Sequence, residues 1–547
     1  MITPEEIQIQ TINHLGLIAG IIDEIGIVDL INSEIGIDAR EVVTPGVVVK
    51  AIILNGLGFV SKPLYLFPQF FEDKATEHLL GEGIKPNQLN DDKIARVMDK
   101  LFRKGLSHIF LLIALGVVKK YKIQTDYSHL DSSSFSLHGE YPLVESIDNL
   151  EEFNRKSPVP IHITHGYSRD HRPDLKQFIL DLIVSGDGDI PLFLRVADGN
   201  ENDKAVFGQI AKEYKSLVNF DTMIVSDSAL YTQNNLKLMS GIEWLSRVPL
   251  SIKEAKSLVS ELSSSDFTNS ELSGYSWYEV SSNYGGIAQR WLVVESQKRQ
   301  ESDLEKLQQK IEKEKENVQK KLPQLMKQEF VSEQGAREIV KQYEQRLKYH
   351  QLSHLKISQL QPSSPKNKAK KPKNDSENIY QITAEFELDN KKIQSLQKRA
   401  GRFVLATNRL DQKKLTSEQI LSKYKEQQAP ERGFGFLKDP LFFADSVFLK
   451  SPSRIETMAM LMGLCLLVYS LGQRQLRLSL TEAKTGLKNQ LGKLTARPTL
   501  RWIFQGFQGI HFLVLQGIKQ VVNLTQERRL TLTFFPTACQ KYYILSG

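Results

Sequence analysis

The chain contains 547 residues, of which 41% are hydrophobic and 25% are charged. This composition is that of a soluble globular protein, and the length allows three or more domains with their own cores. The two cysteines, Cys465 and Cys539, exclude a disulfide framework and a cysteine-rich zinc cluster, and they indicate a reducing compartment. The net charge of +7 permits a polyanionic partner without identifying one.

No segment of the sequence indicates export or membrane insertion. The first residues, Met-Ile-Thr-Pro-Glu-Glu, lack the basic region that opens a signal peptide. The longest apolar run, Met458 to Leu471, is too short to cross a bilayer and predicts a core helix. We therefore expect a cytoplasmic protein with no membrane partner.

Residues 1–120 are predicted to form a helical domain, because their apolar residues cluster without strand-like alternation. Asn90 is a predicted cap for a helix with one apolar face, made of Ile94, Val97, Met98 and Leu101. Cations surround this helix: Lys93, Arg96, Lys100, Arg103 and Lys104. Two interpretations stay open, a small DNA-binding module and a helical bundle that packs on the next domain.

Residues 121–249 alternate in the manner of strands and predict the first part of an α/β core. The predicted order is a strand at 123–130, strands at 159–165, 178–184 and 190–196, a helix from Asp203, and a buried strand at 222–226. Three antiparallel strands, a helix and a parallel strand are typical of an RNase H-like mixed sheet. Asp131 and Asp227 are each predicted to follow the end of a strand.

Residues 250–395 are predicted to be an insertion of mixed α+β structure. It contains strands, a charged helical hairpin between residues 301 and 360, and a basic loop near residues 361–375. A strand at 401–407 resumes the core, whose second part covers residues 396–480. Residues 481–547 form a C-terminal tail to which the sequence assigns no function.

The segment from Thr416 to Lys438 contains two predicted helices. Thr416-Ser-Glu-Gln419 is a capping-box pattern that begins the first helix. Pro430 suits the first turn of the second helix, which places Glu431 in that turn and Lys438 two turns further along. A carboxylate and an ammonium on one helical edge suit a site for metal ions and phosphate. An ordinary charged surface helix is the alternative.

The same segment resembles the signature Y-x2-R-x3-E-x6-K of insertion-sequence transposases with an Asp-Asp-Glu (DDE) site on an RNase H-like fold. Tyr424, Glu431 and Lys438 match the signature, whereas Gln427 stands where arginine is expected. The resemblance covers about residues 124–480 and includes the segment from Gly166 to Asp174. It implies a prokaryotic, DNA-associated protein that binds terminal inverted repeats, cleaves 3′ ends and transfers strands in a paired-end homodimer.

The resemblance also implies a catalytic site made of Asp131, Asp227 and Glu431. Three carboxylates from neighbouring elements hold two divalent ions about 4 Å apart in phosphodiester chemistry. Their oxygen ligands suit Mg²⁺, and Mn²⁺ would substitute. Tyr424, Gln427 and Lys438 are then expected to contact DNA phosphate. Duplex DNA, as transposon end and as target, is the expected partner, with further contacts possible from Lys366, Lys368, Lys370, Lys371 and Lys373.

Competing interpretations of single residues and of the whole chain also stay open. His129 is more readily explained as a packed strand histidine than as a metal ligand. Glu456 is a rival third acid, but no tyrosine and lysine frame it as Tyr424 and Lys438 frame Glu431. The alternative functions are a decayed or repurposed DNA-binding protein and a nuclease of the RNase H type. The large insertion and the helical N-terminal domain argue against a minimal nuclease.

Overall fold

The computed structural model describes residues 7–141, 158–360, 379–439 and 449–545. The chain divides into two compact units. The first unit contains residues 1–246, 285–287 and 422–547, and the second contains residues 247–284 and 288–421. The five lysines of the predicted basic loop, between residues 366 and 373, lie outside the described residues. The segment boundaries predicted at 120, 249, 395 and 480 stay predictions.

The N-terminal part of the first unit is mainly helical, as the sequence predicted. Its elements are β1 (Ile7–Thr11), α1 (Leu15–Ile25), α2 (Ile27–Ile35), α3 (Pro45–Gly56), α4 (Phe67–Phe71), α5 (Thr76–Leu80), α6 (Asp91–Lys104) and α7 (Leu106–Tyr121). Asn90 caps α6 by accepting the Lys93 N–H at 2.9 Å, and the four predicted apolar residues of that helix are buried. The cap and the apolar face are therefore confirmed.

Cations on α6 form ion pairs with acidic side chains of the same protein. Lys93 Nζ lies 3.1 Å from Glu41 Oε1, and Lys104 Nζ lies 3.1 Å from Glu34 Oε2. Side chains held in such pairs are less available to a phosphate backbone. This arrangement favours the packing interpretation of the N-terminal helices over the DNA-binding one.

The core of the first unit is a mixed sheet. Its elements are β2 (Tyr127–Leu137), β3 (Lys176–Ser185), β4 (Pro191–Ala197), α8 (Asp203–Leu217), β5 (Met223–Ser226), α9 (Gln233–Leu238) and β6 (Trp244–Val248). The strand order is β4-β3-β2-β5-β6. Strands β2, β3 and β4 are antiparallel, whereas β5 is parallel to both β2 and β6. The predicted α/β fold class with an RNase H-like strand order is confirmed.

Two strand predictions in this region were wrong. The first strand runs from 127 to 137, so Asp131 lies inside it and not beyond its end. Pairing with β3, from Ser128↔Ser185 to Leu137↔Lys176, keeps the turn-prone Asp-Ser-Ser-Ser segment extended. Residues 159–165 are not a strand and make only an isolated bridge, Thr164↔Gln177. Pro160 has no N–H for a ladder, and the Ile161 N–H is taken by Glu456.

The second unit contains most of the elements between β6 and the end of the α/β core. They are α10 (Lys253–Glu261), β7 (Thr268–Asn269), β8 (Tyr275–Tyr284), β9 (Ile287–Ser296), α11 (Gln297–Met326), β10 (Glu329–Phe330), α12 (Glu333–Arg346), β11 (His350–Leu360), β12 (Ile379–Leu388), α13 (Asn390–Arg399), β13 (Arg402–Thr407) and α14 (Ser417–Lys425), the last of which continues into the first unit at residue 422. Two helices, α11 and α12, occupy the region predicted to form a charged helical hairpin, but residues 350–360 form a strand and not a helix. The hairpin packs on the sheet β10-β12-β11 around Val318, Leu322, Ala336, Val340 and Ile382.

The C-terminal elements of the first unit are α15 (Gln428–Leu437), α16 (Pro452–Glu482), β14 (Leu487–Lys488), β15 (Leu494–Thr495), α17 (Leu500–Gly506), β16 (His511–Leu515), β17 (Ile518–Val522), α18 (Gln526–Leu532) and α19 (Thr537–Gln540). Helix α16 is apolar and long enough to span a membrane, but 89% of its apolar window is buried inside the protein, as in a core helix. The bent pair α6 and α7 passes the same length test only when counted as one span.

The C-terminal tail packs against the N-terminal helices. Strand β16 pairs with β1, and α19 lies so close to α1 that a Cβ on Gly20 would be 2.3 Å from the Cys539 Cα. Lys50 Nζ contacts both Asp23, at 2.6 Å, and the Tyr542 hydroxyl, at 2.9 Å. The tail therefore completes the hydrophobic core of the N-terminal region.

Candidate active site

Two aspartates lie side by side on neighbouring parallel strands. The parallel register of β2 and β5 ends with Leu130 opposite Ser226. The next residue on each strand is an aspartate, Asp131 on β2 and Asp227 after β5. Asp227 is held at the strand end, because its Oδ1 accepts the Ala229 N–H at 2.8 Å and its carbonyl accepts the Ser246 hydroxyl at 2.6 Å. The end of β5 thus brings together two acids that are 96 positions apart in the sequence.

The neighbouring Asp227 affects the pKa of Asp131. Burial raises the pKa of the Asp131 carboxyl to about 7; Arg169 opposes the rise, and the charge of Asp227 adds to it. Arg169 Nη1 lies 3.6 Å from Asp131 Oδ1, and the same guanidinium donates to Asp203 and to the Ser132 carbonyl. A cation placed here offsets the repulsion between the acids, which is also what a divalent ion would do.

Helix α15 runs along β2. At its start, Gln427 Oε1 lies 3.1 Å from His129 Nδ1, and at its end Lys438 Nζ lies 5.0 Å from the centre of the Phe135 ring. His129 and Phe135 are six positions apart on the same strand, so both point to the face of the sheet that α15 covers. Asp131 lies between them with the same alternation.

This register places Glu431 level with Asp131. Glu431 is one helical turn after Gln427 and two turns before Lys438. Gly433 provides an independent marker, because a Cβ there would lie 3.0 Å from Cδ2 of Leu182, the residue that pairs with Asp131 on β3. Pro430 and Glu431 lie in the first turn of α15, as predicted, and Glu431 is exposed.

Gln427 contacts the strand and is not free to meet a phosphate. Its side chain is buried, its Nε2 donates to the Leu130 carbonyl at 2.8 Å, and its Oε1 accepts from His129. Both ends of the amide are therefore used to fix α15 on β2, one residue before Asp131. His129 is fully buried in this contact, which agrees with the packed-histidine interpretation.

Lys438 and Tyr424 occupy the two ends of the signature segment. Lys438 Nζ makes an ion pair with both oxygens of Asp170, at 2.8 and 3.0 Å. Tyr424 is half-buried in α14, and its carbonyl accepts the Gln427 N–H at 3.0 Å. The capping box that begins α14 is formed as predicted, since Thr416 and Gln419 exchange hydrogen bonds at 2.9 and 3.2 Å.

The sequence did not single out Arg169 or Asp203. Arg169 lies in the Gly166–Asp174 segment that the resemblance includes, and it contacts both Asp131 and Asp203, the first residue of α8. Arg172 and Asp174 pair with each other on the surface at 2.7 Å. In that segment, Arg169 and Asp170 are the residues that reach the site.

Glu456 has a structural partner elsewhere. Its Oε1 accepts the Ile161 N–H at 2.7 Å inside the protein. Burial raises the pKa of its carboxyl to about 7, and the hydrogen bond from Ile161 opposes the rise. The buried Glu456 side chain therefore holds the backbone of residues 158–163 in place through its hydrogen bond with Ile161.

The chemistry of the acids suits divalent metal ions, although their present arrangement does not form a complete ligand set. Aspartate and glutamate oxygens are the ligands that Mg²⁺ and Mn²⁺ prefer. Across the described residues, no three His, Cys, Asp or Glu side chains come close enough to hold a metal ion. The structure therefore provides two adjacent carboxylates, a cationic partner and a third acid on the helix beside them.

An acidic pair on two neighbouring parallel strands, where β5 ends beside β2, together with a helix that carries a third acid, defines a mixed-sheet α/β protein with a carboxylate site. The family described as "Transposase DDE domain" matches residues 129–468. The chain therefore belongs to the DDE transposase domain family. A family described as a domain of unknown function matches residues 7–115.

Other comparisons are more distant. No curated protein matches the chain. Among solved structures, the chain is similar to a piggyBac transposase in a synaptic complex with hairpin DNA, determined by cryo-EM. That similarity has a TM-score of 0.36 and 10% sequence identity, and it covers 97% of this chain and 82% of the other.

Proposed function

We propose that this DDE transposase binds the terminal inverted repeats of an insertion sequence, cleaves the 3′ ends and joins them to target DNA. One observation carries the proposal: Asp131 and Asp227 are adjacent across two parallel strands, and α15 places Glu431 level with Asp131. In this proposal they are the two aspartates and the glutamate of a DDE site. Family membership supports a site of that type, and the geometry supports the choice of these three residues.

In this proposal Asp131, Asp227 and Glu431 would hold two Mg²⁺ ions, which Mn²⁺ could replace. Such ions activate the attacking oxygen and stabilise the leaving oxygen of the phosphodiester. Gln427 and His129 hold α15 in register with β2, so that the glutamate stays beside the aspartates. Lys438, once separated from Asp170, offers its ammonium to a DNA phosphate, and Tyr424 lies at the start of the same edge.

The proposal extends to partners and location. The DNA substrate has two ends, so a homodimer in a paired-end complex is the expected assembly. The protein is expected to act on DNA in the cytoplasm of a prokaryotic cell, without a membrane partner.

The test uses the DNA that flanks the reading frame. Short inverted repeats should lie just outside the gene, bordered by direct duplications. Purified protein should cleave duplexes that contain these repeats, and Asp131→Asn, Asp227→Asn and Glu431→Gln should each abolish cleavage while end binding persists. Glu456→Gln serves as the matched control and should retain cleavage. Full activity of Glu431→Gln together with loss in a folded Glu456→Gln would refute the assignment.

A second candidate is a DNA-binding protein that no longer cuts. It is favoured by the absence, among the described residues, of three acids close enough to hold a metal ion. The same assay separates the two functions, because this candidate binds the ends and leaves them uncut with either Mg²⁺ or Mn²⁺. Cleavage confined to RNA–DNA hybrids would instead support a nuclease of the RNase H type.

A further inference from the structure

A groove in the second unit is lined by cations that form no ion pair with the part of the chain that the structure describes. It lies between α11 and the region where α12 leads into β11. Five exposed cations line it: Lys310, Lys313, Lys321, Arg346 and Lys348. None of the five makes an ion pair within the described residues, whereas Lys315, on the same helix but outside the groove, pairs with Glu312 at 3.0 Å.

The acid in the groove lining is directed into the protein. Glu314 accepts the N–H groups of Lys348, Tyr349 and His350 at 2.8, 2.8 and 3.0 Å, and its carboxylate lies 2.9 Å from His350 Nδ1. Burial by itself would raise the pKa of Glu314, but these hydrogen bonds outweigh it and hold the pKa below its ordinary value. Glu314 thus fixes the floor of the groove, and among the described residues its carboxylate forms an ion pair with none of the five cations.

The cations on α11 form a row. Lys310, Lys313 and Lys321 are spaced by three and eight residues, with Asn317 between them, so all lie along one edge of the helix. At 1.5 Å per residue the row is about 16 Å long. Tyr343 and Tyr349 lie half-buried in the lining and add polar hydroxyl groups to it.

We propose that this groove binds the sugar–phosphate backbone of duplex DNA without reading sequence. Duplex DNA carries one negative charge per about 1.7 Å of its axis, so a row of about 16 Å matches several phosphates on one duplex. A mononucleotide could engage only part of such a row. The inference rests on the proposed function for the nature of the polyanion, and it adds a contact surface remote in sequence from the acids.

The test compares two variants with equal charge change. The groove variant replaces Lys310, Lys313, Lys321, Arg346 and Lys348 with glutamine. The control variant replaces five exposed lysines of the same unit that do not line the groove: Lys298, Lys327, Lys341, Lys356 and Lys398. Circular dichroism melting establishes that both variants are folded.

Binding is measured on end-containing and random duplexes over a range of salt concentrations. Each lost phosphate contact should reduce the slope of log affinity against log salt by about 0.9, so five contacts predict a reduction of about 4.5. The groove variant should lose affinity equally on both duplexes, and the control variant should keep the wild-type slope. Equal slopes for the groove variant and wild type, or the same reduction in both variants, would overturn the inference.

Photo-crosslinking supplies a positional readout. A photo-crosslinking amino acid at Asn317, inside the groove, should attach to duplex DNA, whereas one at Gln319, on the opposite side of α11, should not. Attachment from both positions, or only from Gln319, would overturn the inference. If wild-type protein cleaves its ends while the groove variant binds normally, only the groove assignment fails. If wild-type protein neither binds nor cleaves DNA, both this inference and the proposed function fail.

Discussion

The Nδ1 atom of His129 lies 3.1 Å from the Oε1 atom of Gln427, and this contact joins the strand of the first aspartate to the helix of the glutamate. The same amide donates to the Leu130 carbonyl at 2.8 Å. Both bonds are buried, so water cannot replace a lost partner. Gln427, at the position where the Y-x2-R-x3-E-x6-K pattern has arginine, therefore holds α15 on β2.

Replacing Gln427 should destabilise the protein. Gln427→Leu removes the side-chain hydrogen bonds to His129 Nδ1 and to the Leu130 carbonyl, and leaving a buried polar group unsatisfied costs about 1–3 kcal/mol. The effect should be coupled to His129, so a double-mutant cycle with His129→Leu should give an interaction energy of at least about 0.5 kcal/mol. Urea unfolding of the four proteins measures it. If the changes in unfolding free energy of the two single variants add up to that of the double variant, the contact contributes nothing to stability.

Glu456 should make stability depend on pH. Its pKa is raised to about 7 in the folded protein, against 4.5 when exposed. Between these values the folded state binds more protons at Glu456 than the unfolded state does. The contribution of this group to the free energy of unfolding is therefore largest below pH 4.5 and falls as pH rises to 7, by up to about 1.4 kcal/mol per pH unit. Glu456→Gln should flatten this slope in urea unfolding from pH 5 to pH 8 in EDTA. An unchanged slope would mean that Glu456 does not titrate in this window.

Arg169 and a metal ion should compete for the same acids. Arg169→Gln removes the cation beside Asp131 and Asp203, so the metal-free protein should melt at a lower temperature at pH 8. Added Mg²⁺ should then raise the melting temperature more than it does in wild type, because the ion replaces the lost positive charge. Arg172→Gln, which breaks only a surface pair, is the control. Equal Mg²⁺ shifts in wild type and Arg169→Gln would contradict competition.

Cleavage should depend on divalent metal. The carboxylates can act on a phosphodiester only through bound ions, so EDTA should stop end cleavage while end binding continues. Mg²⁺ or Mn²⁺ should restore it. The measurement is a gel assay of nicked and joined products alongside a binding assay in the same buffer. Products formed after complete chelation would exclude the two-metal chemistry.

We expect Lys438 to exchange its ion pair with Asp170 for a DNA phosphate when DNA binds. In the free protein its ammonium is paired with Asp170. Asp170→Asn removes that competing charge and should strengthen end binding at low salt, whereas Lys438→Ala should weaken cleavage by losing a charged phosphate contact. Binding and cleavage are measured for both variants on the same end duplex. Weaker end binding by a folded Asp170→Asn would show that the pair supports, and does not compete with, the DNA contact.

The sequence by itself determined the features that depend on neighbouring residues. The Asn90 cap, the capping box of Thr416 and Gln419, and Pro430 in the first turn of α15 all follow from local backbone hydrogen bonds within a few positions. Asp227 at the end of β5 also followed from a short buried strand and the polar residue after it.

Only the tertiary structure decided the features that depend on distant partners. Asp131 lies inside a long strand because β3 pairs with it, whereas its local sequence favours a turn. The local sequence favours Gln427 as a phosphate contact, whereas in the structure its amide lies against His129, 298 positions away. Residues 350–360 form a strand because β12 supplies their hydrogen bonds. A local pattern indicates which structure a segment can form. The distant partner that satisfies its backbone and side-chain hydrogen bonds determines which structure the segment adopts.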